Sequence, residues 1–345
     1  MKTGVFPGKF LPPHRGHITA ILRAHALCDK LYVVISERTT EDGDLCRQAG
    51  LPYISGVLRQ RWLSQELQGL GIDVLLQNDD ASAPFPQGWG DYASKLKHTV
   101  PTAFSVIFGG EESYRDGHKQ FFPGIEYQVL DPQRTQWPIS GTEIREHPYK
   151  HWEYIAGAAR PFFARKVLIT GPESCGKTTL TRKLAKVYCS SWSEELGRDY
   201  QHDVVGGNGE LFDLEDFNRI AHLQYEQDLH ALRSANKVCF FDTDAVVTAF
   251  FSQVFLGEVA SRVESFIDPA KYDLVIALKP TVPWVADGMR ELGEPEVRAL
   301  SFDKLMALYQ HYGFVTERFV VIDAADYYQR MEQCIASVEQ LLSAP

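Results

Sequence analysis

Residues 171–178 read "GPESCGKT", between the apolar run "KVLIT" and the stretch "KTTLTRKLAKVY", which holds no Gly or Pro. A GxxxxGK[ST] pattern in that setting constrains the fold more than any other feature of the chain. A strand must end, a turn must aim its N–H groups inward, and a helix must begin with its positive end at the same point. That arrangement binds phosphate. Lys177 is placed to reach the β- and γ-phosphates of ATP, and Thr178 to ligate Mg²⁺ through its hydroxyl. Gly171, Glu173, Ser174, Cys175, Gly176 and Thr179 complete the loop. Because Cys175 lies inside it, oxidation there is expected to block ATP.

The partner acid should end a neighbouring strand, and "VCFFDTD" supplies it. Asp242 is expected to hold Mg²⁺ and Asp244 to meet substrate. "SEELGRDY" places Glu195, Arg198, Asp199 and Tyr200 where a phosphoryl acceptor enters a small-molecule kinase. Either Glu195 or Asp199 can take the acceptor hydroxyl's proton, and Arg198 can pair with phosphate. "PTVPWVADGMRELGEPEVR" has the composition of a lid. Its Arg290 and Arg298 would close on the transferring phosphate, while Trp284 and Asp287 would hold a flat ring and a sugar hydroxyl.

The segments before residue 160 already alternate in the same way. "KTGVF", "KLYVVIS", "DVLLQ", "FSVIFGG" and "YQVLD" read as strands; "GHITAILRAHALC", "VLRQRWLSQEL" and "YASKLKHTV" read as helices. The order restarts with "KVLITG", followed by the long helix "LEDFNRIAHLQYEQDLHALRSA", the strands "YDLVIALK" and "RFVVIDA", and a last helix, "YQRMEQCIASVEQLLSA". Two α/β domains are expected, 1–160 and 161–345, each a parallel sheet flanked by helices.

Composition excludes several classes. The net charge is −10, and the two halves carry −1 (17 basic, 18 acidic) and −9 (18 basic, 27 acidic). Neither has the basic excess of a nucleic-acid binder. No apolar run reaches the roughly 20 residues of a membrane span, and "MKTGVFPGKF" lacks a signal-peptide layout. None of the six cysteines forms a CxxC pair, so no zinc or disulfide framework is expected. The reading is a cytoplasmic enzyme of small molecules. A homo-oligomer is compatible with it.

"GKFLPPHRGH" then needs an explanation. His14 and His17 follow the first strand, His17 at the start of a helix, so both rings and the helix N-terminus can face one phosphate group. Gly16 permits close approach of a nucleotide, and Lys9 adds charge. A second anion site in the same half is "WPISGTEIR", where Ser140, Thr142 and Arg145 can cradle a triphosphate.

Together, Gly8-Lys9-Phe10, HxGH and ISxTxxR resemble the nucleotidyltransferase superfamily, whose members transfer AMP from ATP to a phosphate acceptor. The resemblance implies that these histidines and Arg145 stabilise the leaving pyrophosphate, with positioning and charge neutralisation in place of a strong base. Over residues 8–290 the motifs "GKFLPPHRGH", "APFPQGW", "ISGTEIR", "GPESCGKTTL", "GRDY", "FFDTD" and "PWVADGMR" resemble, in order, the NadR-type bifunctional family: nicotinamide mononucleotide (NMN) adenylyltransferase joined to ribosylnicotinamide kinase. The resemblance implies ATP-dependent phosphorylation of nicotinamide riboside by the second half, then NAD and pyrophosphate from NMN and ATP in the first; Trp89 is expected either against the nicotinamide ring or in the core.

"GVFPGKF" starts at residue 4, which leaves no room for the helix-turn-helix domain of some members, so no DNA binding is expected. Gly141 stands where the superfamily often has Ser, and "GGEESY" (109–114) where a Ser-Glu turn is usual; both bear on the adenylyl-transfer rate more than on the fold. Two other readings remain. One is phosphopantetheine adenylyltransferase fused to dephospho-CoA kinase, which "PFPQGW" and "PWVADGMR" fit less well. The other is a kinase whose first half senses NAD or ATP with little turnover.

Overall fold

The computed structural model describes residues 1–80, 83, 87–282 and 295–343. Trp284, Asp287 and Arg290 lie outside the described residues. The chain forms two compact units, Met1–Phe162 and the chain from Phe163 onward.

The first unit holds a five-stranded sheet of β1 (Thr3–Gly8), β2 (Lys30–Glu37), β3 (Asp73–Asn78), β4 (Val106–Gly109) and β5 (Glu126–Val129). The spatial order is β3-β2-β1-β4-β5, and every pairing is parallel. The central strands are covered on both faces, so β1, β2 and β4 are largely apolar, while the edge strands β3 and β5 carry polar residues. Side chains alternate: Val33 and Ile35 of β2 join one core with Ile21 and Ala24 of the helix Arg15–His25. Tyr32 and Val34 join the other with Ala93 and Leu96 of the helix Trp89–Thr99. The chain runs from β1 outward to β2 and β3, then crosses back to β4 on the other side of β1, so the strand order reverses between β1 and β4. A crevice therefore opens beyond the carboxyl ends of β1 and β4, where α/β sheets bind ligands.

The second unit repeats the principle with β6 (Arg165–Thr170), β7 (Trp192–Ser193), β8 (Val238–Asp242), β9 (Leu274–Leu278) and β10 (Phe319–Ile322). Its order is β10-β9-β6-β8-β7, again all parallel. Central β6 lies between β8 and β9, so the loop after it and the acid ending β8 meet at one crevice.

Several elements were not expected from the sequence. The helix Ala245–Leu256, "AVVTAFFSQVFL", has seven buried positions and is apolar nearly all round, so it carries no amphipathic period. The helix Thr39–Gln48 is polar and contains Gly43, yet its Asp42 and Cys46 are wholly buried. The helix Arg115–Phe121 and the two-residue β7 are too short to leave a period.

Candidate active sites

In the first unit, β1 runs into the loop 9–14, and the next helix begins at Arg15. His14 is its N-cap, with Nδ1 accepting the His17 N–H at 3.4 Å, and His17 lies in the first turn. The two rings stack, centroids 3.6 Å apart, and Phe10 meets His17 edge-on at 4.9 Å. Burial holds both imidazoles neutral: His14 falls to about 4, and His17 goes well below its ordinary value, with the neighbouring His14 adding to the effect. His17 Nδ1 is buried with no hydrogen-bond partner among the described residues. Gly16 leaves the His14 ring its place, since a Cβ would stand 3.1 Å from it and press it aside by a few tenths of an ångström.

Gly8, Lys9, Phe10, His14 and His17 line the cleft. The Lys9 ammonium reaches Glu41 at 2.6 Å and Asp42 at 3.0 Å. Fully buried Asp42 also takes Arg59 Nη2 at 2.8 Å, and Arg59 Nη1 donates to the Lys9 carbonyl at 2.7 Å. Arg59 and Asp42 thus fix Lys9 through both main chain and side chain. Sequence reasoning missed both, because single charges on helices leave no motif.

The far end of the cleft is aromatic. Trp89, at the start of its helix, meets Tyr92, Tyr114 and His118 edge-on, and His118 stacks on Tyr127 at 4.0 Å. Burial lowers His118 to about 4, so it too is neutral. Trp89 lines the cleft while remaining 7% exposed, which makes it a wall residue and a core residue together.

Three expected phosphate ligands are placed differently. The Ser140 hydroxyl is engaged in a capping box with Glu143: the Glu143 N–H donates to Ser140 Oγ, and the Ser140 N–H donates to Glu143 Oε2 at 2.8 Å. Arg145 is buried and donates from Nη1 to the Leu11 carbonyl at 2.6 Å and from Nη2 to Thr142 Oγ1 at 3.1 Å. Ser140, Thr142 and Arg145 do not line the cleft; they brace its floor loop. Gly141 belongs to that brace, since a Cβ would stand 2.5 Å from Leu11 O.

In the second unit the loop after β6 folds back around its own helix N-terminus. Gly171 and Gly176 have φ of 143° and 88°, and Ser174 joins them at 58°. Any Cβ at Gly171 would collide with Leu278 O at 2.5 Å. Lys177 is buried, with Nζ donating to Pro172 O at 3.1 Å. Burial alone would lower its pKa, but the neighbouring Cys175 sulfur and the carboxylates of Glu195, Asp242 and Glu173 more than offset that and raise it. Asp242 ends β8 at 1% exposure, with neither carboxylate oxygen hydrogen-bonded among the described residues. Burial and the nearby Glu195 carboxylate push its pKa up, against the pull of Lys177 and Thr178. Two orphaned oxygens beside a Lys and a Thr suit a divalent cation carried in with phosphates.

Glu173, Lys177, Glu195 and Arg198 line a cavity together with Phe212, Phe217, Phe251 and Phe255, and Phe255 is in ring contact with the other three. The two candidate acids differ in position: Glu195 lines the cavity, whereas Asp199 is exposed and does not line it. Tyr200 is also turned away, with its hydroxyl donating to Asp216 at 2.8 Å. Asp244 does not line the cavity either. It caps the helix Ala245–Leu256, with Oδ1 accepting from Val246, Val247 and the Tyr309 hydroxyl. Thr178 is partly buried at the head of the loop helix and Thr179 is exposed. Arg298 is buried against the loop, donating to Ser174 O at 3.2 Å and Val282 O at 3.1 Å. Cys175 is fully buried and burial raises its thiol pKa, so the expected oxidative block has no accessible thiolate to start from. Its carbonyl accepts from Arg330 Nη1 at 2.6 Å, and Arg330 also holds Lys279 O and Ala324 O. No motif announced Arg330, which ties the loop to the ends of β9 and β10.

A family profile described as an AAA domain matches residues 166–330. The trifunctional NAD biosynthesis/regulator protein NadR of Salmonella typhimurium is 35% identical over 348 residues, covering 98% of this chain and 83% of that protein. Among solved structures, a NadR protein in complex with NR superposes with a TM-score of 0.82 at 26% identity, covering 100% of this chain and 97% of that one. A NadR protein in complex with NAD and AMP-PNP gives 0.79 at 27% identity, with the same coverage.

Proposed function

The chain belongs to the NadR family, and from that premise we propose that it makes NAD in two ATP-dependent steps, one in each unit. The second unit phosphorylates nicotinamide riboside. The first joins the resulting NMN to AMP.

In the kinase step the riboside 5′-oxygen attacks the γ-phosphorus, the β–γ bridge breaks, and ADP leaves. Glu195 receives the hydroxyl proton. Lys177 and Arg198 neutralise charge on the transferring group, and the four phenylalanines enclose the nicotinamide ring. Mg²⁺, when bound, adds positive charge across the phosphates; Thr178 and Asp242 would hold it. In the adenylyl step a phosphate oxygen of NMN attacks the α-phosphorus of ATP and pyrophosphate leaves. The acceptor is already ionised, so no base is needed. Neutral His14 and His17 donate N–H bonds to the phosphates, Lys9 supplies charge, and the Trp89 end of the cleft takes the nicotinamide.

The observation that carries this reading is the pair of separate clefts, one in each unit, each lined by cationic or imidazole side chains and by aromatic ones: Lys177, Arg198 and four phenylalanines in one, Lys9, His14, His17 and Trp89 in the other. No helix among the described residues is long and apolar enough to cross a membrane. Six free cysteines fit the reducing cytoplasm, where we place the reactions.

Incubation with Mg·ATP and nicotinamide riboside, followed by chromatography, tests the assignment. NMN and then NAD are expected. NMN alone would reduce the first unit to a nucleotide sensor, and an unchanged riboside would overturn the proposal.

A further inference from the structure

Glu195 sits on a short irregular segment between β7 and the helix Gly197–Asp203, a poor support for a group that must meet a proton within a few tenths of an ångström. The structure supplies the support from elsewhere. Gln224, on the long helix Leu214–Arg233, accepts the Leu196 N–H on Oε1 at 3.0 Å and donates from Nε2 to the Glu194 carbonyl at 3.0 Å. One buried amide therefore grips the peptide groups on both sides of Glu195. Gln227, one turn on, donates to the same Glu194 carbonyl at 2.7 Å.

The amide is itself fixed. Gln224 Nε2 lies 3.0 Å from both Ser193 Oγ and Asp228 Oδ1, and Ser193 Oγ donates to that same Asp228 oxygen. Asp228 is 3% exposed and balanced by Lys271 Nζ at 2.7 Å. A carbonyl and a carboxylate face Nε2 and an N–H faces Oε1, so only one orientation of the amide satisfies its neighbours. Both Nε2 protons are engaged by these groups.

We propose that Gln224, locked by Asp228 and Lys271, is the positioning residue that holds Glu195 toward the phosphoryl acceptor. The inference rests on the reading of Glu195 as proton acceptor. It assigns Gln224 no contact with the reacting atoms. Loss of the grip leaves ATP binding intact and lowers turnover, because the loop and Lys177 lie on other elements.

The experiment is a double-mutant cycle on the full chain with Glu195→Gln and Gln224→Ala, reading kinase kcat and KM for ATP. Gln224→Ala is expected to lower kcat about 10–100-fold with KM for ATP within about twofold of the parent, and to lower it less than about twofold further in the Glu195→Gln background. The near-isosteric Gln224→Glu, which loses both amide protons, should reproduce the kcat loss if the alanine variant folds poorly. Thermal stabilisation by a non-hydrolysable ATP analogue reports whether the second unit is folded in each variant. Full kcat in both Gln224 variants, or losses that multiply across the cycle, would overturn the inference while leaving Glu195 as the base. Full kcat in Glu195→Gln would instead overturn the base assignment, and the inference with it.

Discussion

His14 accepts the backbone N–H of His17 and stacks its ring on the His17 ring, so one residue caps the helix and also lines the cleft. Both imidazoles are neutral in the free protein, and His14 titrates at about 4 against an ordinary 6.5. Between those values the unfolded chain binds a proton that the folded chain refuses, so stability is complete above pH 6.5 and falls as pH drops toward 4. For His14 the loss is on the order of 3 kcal/mol. Denaturant melts of the first unit from pH 7.5 to 4 should show this decline, and His14→Asn, which keeps a cap without a titrating ring, should flatten part of it. The same variant should lower adenylyl transfer about 10²–10³-fold and leave the kinase rate unchanged.

Much of this was legible in the sequence, and the rest has physical reasons. The "GPESCGKT" loop and the strand ending in Asp242 were readable because each couples a local backbone demand to a chemical one. Ser140 reads two ways for the same reason. Its Oγ pattern serves a phosphate ligand and a helix cap equally, and the Glu three residues on marks the capping box found here. Asp199 and Glu195 could not be separated, because Glu195 lies on an irregular segment that lines the cavity while Asp199, in the first turn of the helix that follows, is exposed. Arg59, Gln224 and Arg330 were out of reach: each works through carbonyls and acids 17–155 positions away or on neighbouring turns, and no pattern records that.

Arg59 is fully buried between Asp42 and the Lys9 carbonyl. Its removal takes from the buried Asp42 carboxylate its 2.8 Å guanidinium partner and leaves Lys9 Nζ at 3.0 Å. Arg59→Ala should destabilise the first unit by about 3–5 kcal/mol, the usual effect of breaking a buried pair. Urea denaturation followed by fluorescence would show it as a lower midpoint with the second unit's transition unmoved.

Cys175 is buried and its thiol protonated, whereas Cys189 is exposed. A maleimide or mild peroxide should modify Cys189 first and leave kinase activity within about twofold of the untreated enzyme. Mass spectrometry of the labelled peptides, read beside the kinase rate, checks both halves. Activity lost in step with Cys175 labelling would show that the loop opens enough to expose it.

Asp242 presents the sharpest conflict between stability and use. Its two oxygens are buried without hydrogen-bond partners among the described residues, a costly state for a carboxylate in the free protein. Asn keeps the shape and removes the charge. Asp242→Asn should therefore raise the melting temperature of the free second unit by a few degrees, about 1–2 kcal/mol, while lowering phosphoryl transfer at least about 10²-fold. Melting with and without Mg·ATP separates the effects: the parent should gain from Mg·ATP, and the variant should gain much less. A variant that melts lower than the parent would mean that the Asp242 charge is already balanced by Lys177 before any nucleotide arrives.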